Sequence, residues 1–190
     1  LHYLNKKIIL FNGPPRSGKD TIITELLSCY PLVKHLKFSN PLKKSIPAFF
    51  DVKEDELEKN KDEKNSKLLG LSYRDVQISL SEGWAKPVFG KDVFGKIMVS
   101  NIVSSNFNMF FISDCGFYEE TKLIIDTFGE KNCLLVRLHR TGTDFSKDSR
   151  SYWNHDFKKL SEATVYNNSS INSTVVECMS VIDKWLEETI

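Results

Sequence analysis

Short apolar runs alternate along this chain with stretches in which apolar residues recur at helical spacing. "KIILFN" (Lys7–Asn12) is compact and β-prone, ends at a glycine and two prolines, and reads as a buried strand. Ile22, Ile23, Leu26, Leu27 and Tyr30 then fall at the spacing of a helix, which Pro31 ends. "VKHLKFS" alternates Val33, Leu36 and Phe38 as a second strand. Asn40-Pro41 reads as a cap and first-turn proline for a helix over "PLKKSIPAFF", which Pro47 should end or kink. Residues 51–67 are nearly all charge, and two readings stay open: a solvated insert, or a segment that closes over substrate.

Beyond it, Ser72 caps a helix over "SYRDVQISLSEGWA", and residues 92–104 read as another. "NMFFISD" (108–114) is an apolar run ending on an aspartate, and reads as a central strand. Leu123, Ile124, Ile125 and Phe128 mark a helix that ends at Gly129, and "NCLLVRL" (132–138) is a further strand. Residues 139–153 are polar and turn-rich, "ATVYNN" (163–168) is the last strand, and Val175, Val176, Met179, Ile182 and Leu186 define a closing amphipathic helix. Strands separated by helices predict an α/β fold: three layers, with a mainly parallel five-stranded sheet and helices on both faces. Such sheets bind ligands beyond the carboxyl ends of their strands, and Gly13, Asp114 and Arg140 all lie there.

Length and charge narrow the classes. The chain has 190 residues, enough for one domain over 1–190, and a net charge of +1, so no long-range field points to nucleic acid or membrane. No apolar run approaches the length of a membrane span, and the opening "LHYLNKK" lacks the apolar core of a signal peptide. Cys29, Cys115, Cys133 and Cys178 are scattered, as are His2, His35, His139 and His155. This excludes the spacing of a zinc site or a disulfide framework and fits a cytoplasmic protein.

The chemistry concentrates in "FNGPPRSGKDT". Gly13, Gly18 and Lys19 keep the spacing G-x4-G-K, in which the backbone curls so that successive N–H groups face phosphate oxygens, the next helix adds its positive end, and the lysine reaches the outer phosphates. That spacing arises by chance in about one chain in twenty of this size, so the strand before it and the helix after it carry the assignment. The residues expected to hold ATP are Gly13, Arg16, Ser17, Gly18, Lys19, Asp20 and Thr21. Asp20 stands where a magnesium-binding Ser or Thr is usual. A carboxylate there can hold magnesium through water or orient substrate, Thr21 can offer a hydroxyl, and Asp114 can support the same ion. No guanine-reading N-K-x-D follows, which disfavours a GTPase. A small P-loop chain with polar inserts points instead to a kinase of small molecules, in which arginines neutralise developing charge.

The loop, "FSNPLKKSI", "SYRDVQISLSEGW", "KDVFGKIMV", "FFISDCGFYEE", the segment "RTGTDFSKDSRSYW" and the ending "VYNNSSINSTVVECMSVI" occur in one order over nearly the whole chain. In that order they resemble the deoxynucleoside monophosphate kinases of tailed phages, a family whose architecture is shared with animal-type phosphomevalonate kinase. The G-K-D-T form of the loop is itself a feature of that family.

The resemblance implies ATP- and Mg2+-dependent phosphorylation of a nucleoside monophosphate to the diphosphate, in the host cytoplasm if the gene is a phage's. It implies catalytic roles for Lys19, Asp20, Arg74, Arg140 and Arg150, and an acceptor site of Asp20, Arg74, Ser79, Glu82, Trp84, Phe94, Asp114 and Glu120. It also implies an acceptor-binding helical insert over about 40–105 and a lid-like segment over about 139–155. Small-molecule nucleotides are the expected partners, and homodimerisation is left open. Where the family reads Asp-x-Arg after the central strand, this chain has Asp114-Cys115-Gly116, and "QISLSEG" replaces a more usual "Q-x-L-G-T". Two alternatives remain: another small-molecule kinase of the phosphomevalonate or dephospho-coenzyme A kinase kind, or a nucleotide-binding regulator without catalysis.

Overall fold

The computed structural model describes residues 5–146 and 148–189; His2 and the opening tetrapeptide lie outside them. The chain divides into two compact units, Leu1–Lys37 with Gly95–Ile190, and Phe38–Phe94.

The first unit carries the sheet. Strands β1 (Lys7–Asn12), β2 (Val33–Leu36), β3 (Met109–Cys115), β4 (Cys133–His139) and β5 (Ser161–Tyr166) lie in the order β2-β3-β1-β4-β5. Every pairing is parallel, so "mainly parallel" sharpens to wholly parallel. The first strand is central because its run is apolar on both faces. Ile9 and Phe11 meet Ile22, Ile23 and Leu26 of α1 (Lys19–Cys29) and Val175, Cys178, Ile182 and Trp185 of α8 (Ile171–Glu188) in one core cluster. Ile8, Leu10, Phe110, Ile112 and Leu135 alternate with these along their strands and are equally buried, which requires apolar cover on the second face as well. On the chain between β3 and β4, α7 (Tyr118–Phe128) buries Ile124, Ile125 and Phe128. It meets α6 (Val93–Val103) closely at Gly95, where a Cβ would lie 3.0 Å from the Glu120 carbonyl oxygen. The last strand begins and ends two residues earlier than its apolar pattern indicated, because its edge position leaves alternate residues exposed.

The second unit is helical: α2 (Asn40–Phe50), α3 (Glu54–Lys59), α4 (Tyr73–Leu80), a π-turn (Ser81–Ala85) and α5 (Lys86–Phe89). The charged run at 51–67 is partly ordered rather than bare coil. Leu57, one apolar residue among charges, is buried with Ile46, Leu68, Tyr73 and Val76 and anchors α3. Pro47 does not end α2. It removes the N–H that would bond the Lys43 carbonyl, and the Tyr73 hydroxyl donates to that carbonyl instead at 3.2 Å. Ser72 caps α4 through a full capping box with Asp75. What reads as one helix from 73 onward is broken by the π-turn, a geometry frequent at functional sites. Among the described residues, no helix is long and apolar enough to cross a membrane.

Candidate phosphate-binding site

Because the sheet is wholly parallel, all its strands end at one edge, and the loop after central β1 emerges there. Two glycines fix its shape. At Gly13 a Cβ would lie 2.6 Å from the Leu138 carbonyl oxygen, so only glycine lets the loop pass the end of β4. Gly18, with φ +92°, takes the left-handed conformation that opens α1, and a Cβ there would meet Asn167 Nδ2 at 2.3 Å. Arg16 is also left-handed, with φ 65°. Successive left-handed turns aim backbone N–H groups into one concavity, and the N-terminus of α1 adds its partial positive charge.

Lys19 Nζ lies across this concavity. It donates to the carbonyl oxygens of Gly13 at 2.6 Å and Pro14 at 2.7 Å, and to Ser17 Oγ at 3.2 Å. Burial pushes its pKa down from 10.5 to about 8, the positive charge of Arg150 adds to that, and Asp20, Asp114 and Asp148 oppose it. The site therefore holds a cation at a disadvantage that an added anion would relieve. Arg150 is gripped by Asp148 through two bonds, Nε to Oδ1 at 2.8 Å and Nη2 to Oδ2 at 2.6 Å. Burial lowers the Arg150 pKa, but the Asp148 carboxylate outweighs that and leaves it raised, with Asp114 and Asp20 adding to the rise. Arg140, just past β4, is exposed and donates to the Arg16 carbonyl at the loop apex at 3.3 Å.

Asp20 is exposed in the first turn of α1 and pairs with Lys37 at 2.6 Å. Thr21 beside it is exposed, whereas Ser17 is buried beneath the lysine. Asp114 is the penultimate residue of β3 rather than its end. Asp20 and Asp114 both act electrostatically on the Lys19 ammonium. Two carboxylates are the hard oxygen donors that suit magnesium, and among the described residues no three acidic, histidine or cysteine side chains are grouped to hold a metal ion. Glu120 is buried in the first turn of α7.

Four contributors escaped the sequence reading. Lys37, directly after β2, meets Asp20. Asn167 follows β5, donates to the Ser17 carbonyl at 2.9 Å and accepts from Thr174 Oγ1 at 3.1 Å, clamping the loop to the last strand. Asn12, wholly buried, donates to the carbonyls of Cys115 at 2.8 Å and Ser151 at 3.0 Å and accepts from the Trp153 amide at 2.9 Å. Asp148 holds Arg150. Asn12 turns residues 148–153 into a strap laid over the sheet edge, also fastened by Tyr152 Oη to the Leu138 carbonyl and Arg137 Nη2 to the Trp153 carbonyl. The sequence signal was an asparagine at the end of β1 and another directly after β5.

The remaining expected acceptor residues lie in the helical unit. Arg74 on α4 pairs with Asp62 at 2.5 Å, and Ser79 on the same helix is exposed. Glu82, in the π-turn, accepts from Lys86 Nζ at 2.8 Å and Ser81 Oγ at 3.0 Å. Trp84 in the same turn is 55% exposed and meets Phe89 edge-on at 5.5 Å, whereas Phe94 is buried.

No protein-family model matches the sequence, and no curated protein is similar to it. Solved structures are. A gluconokinase from Sinorhizobium meliloti aligns over 97% of this chain and 95% of its own, at 9% identity and a TM-score of 0.52. A protein from Chloroflexus aurantiacus assigned as a kinase aligns over 95% of this chain and 97% of its own, at 11% identity and a TM-score of 0.50. The fold, a wholly parallel five-stranded sheet flanked by helices, is shared with these structures. At such identities the likeness extends to the course of the chain and not to the substrate.

A lysine whose pKa burial pushes down to about 8 makes anion binding at this loop pH-dependent. A bound polyphosphate favours charged Lys19 and so raises its pKa above the unliganded value of about 8. ATP affinity should be full below pH 8 and fall as pH rises through it, by up to about tenfold per pH unit until the pKa of the complex is reached. Calorimetry in buffers of different ionisation enthalpy should show proton uptake rising from near zero at pH 7 towards one at pH 9. A flat profile would contradict the assignment.

Proposed function

We propose that the protein is an ATP- and Mg2+-dependent kinase that transfers the γ-phosphoryl group to the phosphate of a deoxynucleoside monophosphate, giving the diphosphate. The observation that supports phosphoryl transfer is the G-x4-G-K loop with Lys19 Nζ on the Gly13 and Pro14 carbonyls and Arg140 on the Arg16 carbonyl, the charges of Arg150, Asp20 and Asp114 acting on that lysine. Phosphoryl transfer needs little covalent chemistry from a protein. It needs positioning, and positive charge where the transferred oxygens gather it.

Backbone N–H groups of residues 16–19 and the α1 terminus would hold the donor's phosphates, and Lys19 would bind their outer oxygens. Arg150, and Arg140 from the loop side, would neutralise charge developing during in-line transfer. Asp20, with Asp114, would hold magnesium, the ion supplying charge neutralisation on the phosphates.

The choice of a nucleoside monophosphate as acceptor rests on the sequence resemblance, supported by the exposed Trp84–Phe89 pair as an aromatic surface suited to a base. The reading is tested by incubating the protein with ATP, magnesium and each deoxynucleoside monophosphate and following diphosphate formation. ATP binding with transfer to none of them would remove this acceptor.

On this reading Arg74 binds the acceptor's phosphate. Arg74→Ala should raise the acceptor KM about 10- to 100-fold, the worth of a charge-assisted hydrogen bond, and leave the KM for ATP unchanged. An effect on the ATP KM alone would place Arg74 at the wrong substrate.

A further inference from the structure

Gly116 follows β3 directly, and its backbone is not among the left-handed positions, so the glycine does not serve conformation. What it supplies is room. A Cβ at 116 would lie 2.6 Å from Arg150 Cβ, 2.8 Å from Cγ and 3.0 Å from Cδ, so the whole aliphatic stem of Arg150 runs over the bare backbone. The strap is tied down at the same place, since the Ser151 amide donates to the Gly116 carbonyl at 3.2 Å. On the other side Asn12 holds the Ser151 carbonyl, so the backbone carrying Arg150 has little freedom to retreat. The stem's course aims the guanidinium at the phosphate edge, where its charge acts on Lys19, Asp114 and Asp20.

We infer that Gly116 is a positioning residue for the anion site: it is the seat across which Arg150 is threaded from the strap to the mouth of the phosphate loop. This rests on the reading of Arg150 as a phosphate-binding group. Even the smallest side chain at 116 crowds three consecutive carbons of Arg150, and the two contacts under 3.0 Å, to Cβ and Cγ, must be relieved by movement. Because the strap is fastened, the relief falls on the arginine. An arginine at 116 and one at 150 would claim the same space, so the chain can present an arginine to this edge from one position or the other.

The test is a double-mutant cycle read by calorimetric ATP binding at pH 7, with thermal melts alongside. Gly116→Ala should weaken ATP binding tenfold or more, and Arg150→Gly should do the same. Since Arg150→Gly removes all three crowded carbons, adding Gly116→Ala to it should change neither affinity nor melting temperature further. General loosening of the edge by Gly116→Ala would instead lower affinity and melting temperature further in the double variant.

Normal binding by Gly116→Ala beside weakened Arg150→Gly would overturn the inference and leave the phosphate site standing. Full additivity in the double variant would do the same. If Gly116→Ala does not fold, folding of the double variant supports the seat and its failure to fold refutes it. Should Lys19→Ala and Arg150→Gly both bind ATP as the unmodified protein does, the site reading itself fails.

Discussion

Lys19→Ala should reduce phosphoryl transfer at least about 100- to 1,000-fold, the scale of losing one preorganised electrostatic contact in a transition state. It should do so without weakening the fold. A lysine whose pKa falls from 10.5 to about 8 carries roughly 3 kcal/mol of electrostatic penalty in its charged form. Alanine removes that penalty together with three hydrogen bonds to Gly13, Pro14 and Ser17, so the two losses offset each other. A melting temperature at or near that of the unmodified protein, with turnover and ATP affinity both lost, is the expected pair of measurements. A Lys19→Ala protein that still transfers phosphate would refute the phosphate-loop assignment. A large drop in melting temperature would show that the lysine is structural.

The second large effect lies at a residue with no chemistry of its own. Asn12→Ala strands the Cys115 carbonyl, the Ser151 carbonyl and the Trp153 amide together, around a side chain with no solvent exposure. At about 1 kcal/mol or more for each group left without a partner, the loss is about 3–5 kcal/mol. For a chain of this length that lowers the melting temperature by about 6–20 °C. Hydrogen exchange adds a local reading: the Trp153 amide, now bonded to Asn12 Oδ1, should exchange at the rate of an open loop in the variant. Since the same bonds hold the strap that carries Arg150, ATP affinity should fall along with stability. A variant that melts within a degree or two of the parent would mean the strap is held by its other fastenings.

The glycine loop between β1 and α1 was legible because its signals are local. Gly13 and Gly18 stand where the backbone has no room for a side chain, and β1 and α1 announce themselves by apolar runs on either side. β1, β3 and β4 were legible for the same reason, since burial on both faces writes a continuous apolar segment. What the sequence could not display depends on neighbours distant along the chain. Asn12 and Asn167 look like ordinary strand-ending asparagines until β1, β3, the strap and α8 are brought together. Leu57 looks incidental in its charged run until Ile46, Leu68 and Tyr73 surround it. Pro47 looks like a helix stop until the Tyr73 hydroxyl takes over for the missing amide. The departure at Gly116 is the sharpest case. Read along the chain it is an arginine absent; in three dimensions it is the space that an arginine from position 150 occupies.

The order of strands in the sheet has a consequence for how the molecule comes into being. The first strand synthesised is the central one, yet its two neighbours are β3 and β4, which end at residues 115 and 139. At a synthesis rate of about 5–20 residues per second, "IILF" waits about 5–20 s for β3 and longer for β4. Meanwhile both of its edges lack native partners, and of its two faces only the one that meets α1 has any cover. The helical unit, whose contacts fall within 38–94, emerges in that interval and can form first. A nascent chain halted after residue 105 should therefore bind chaperones through β1, and one halted well past 139 should release them.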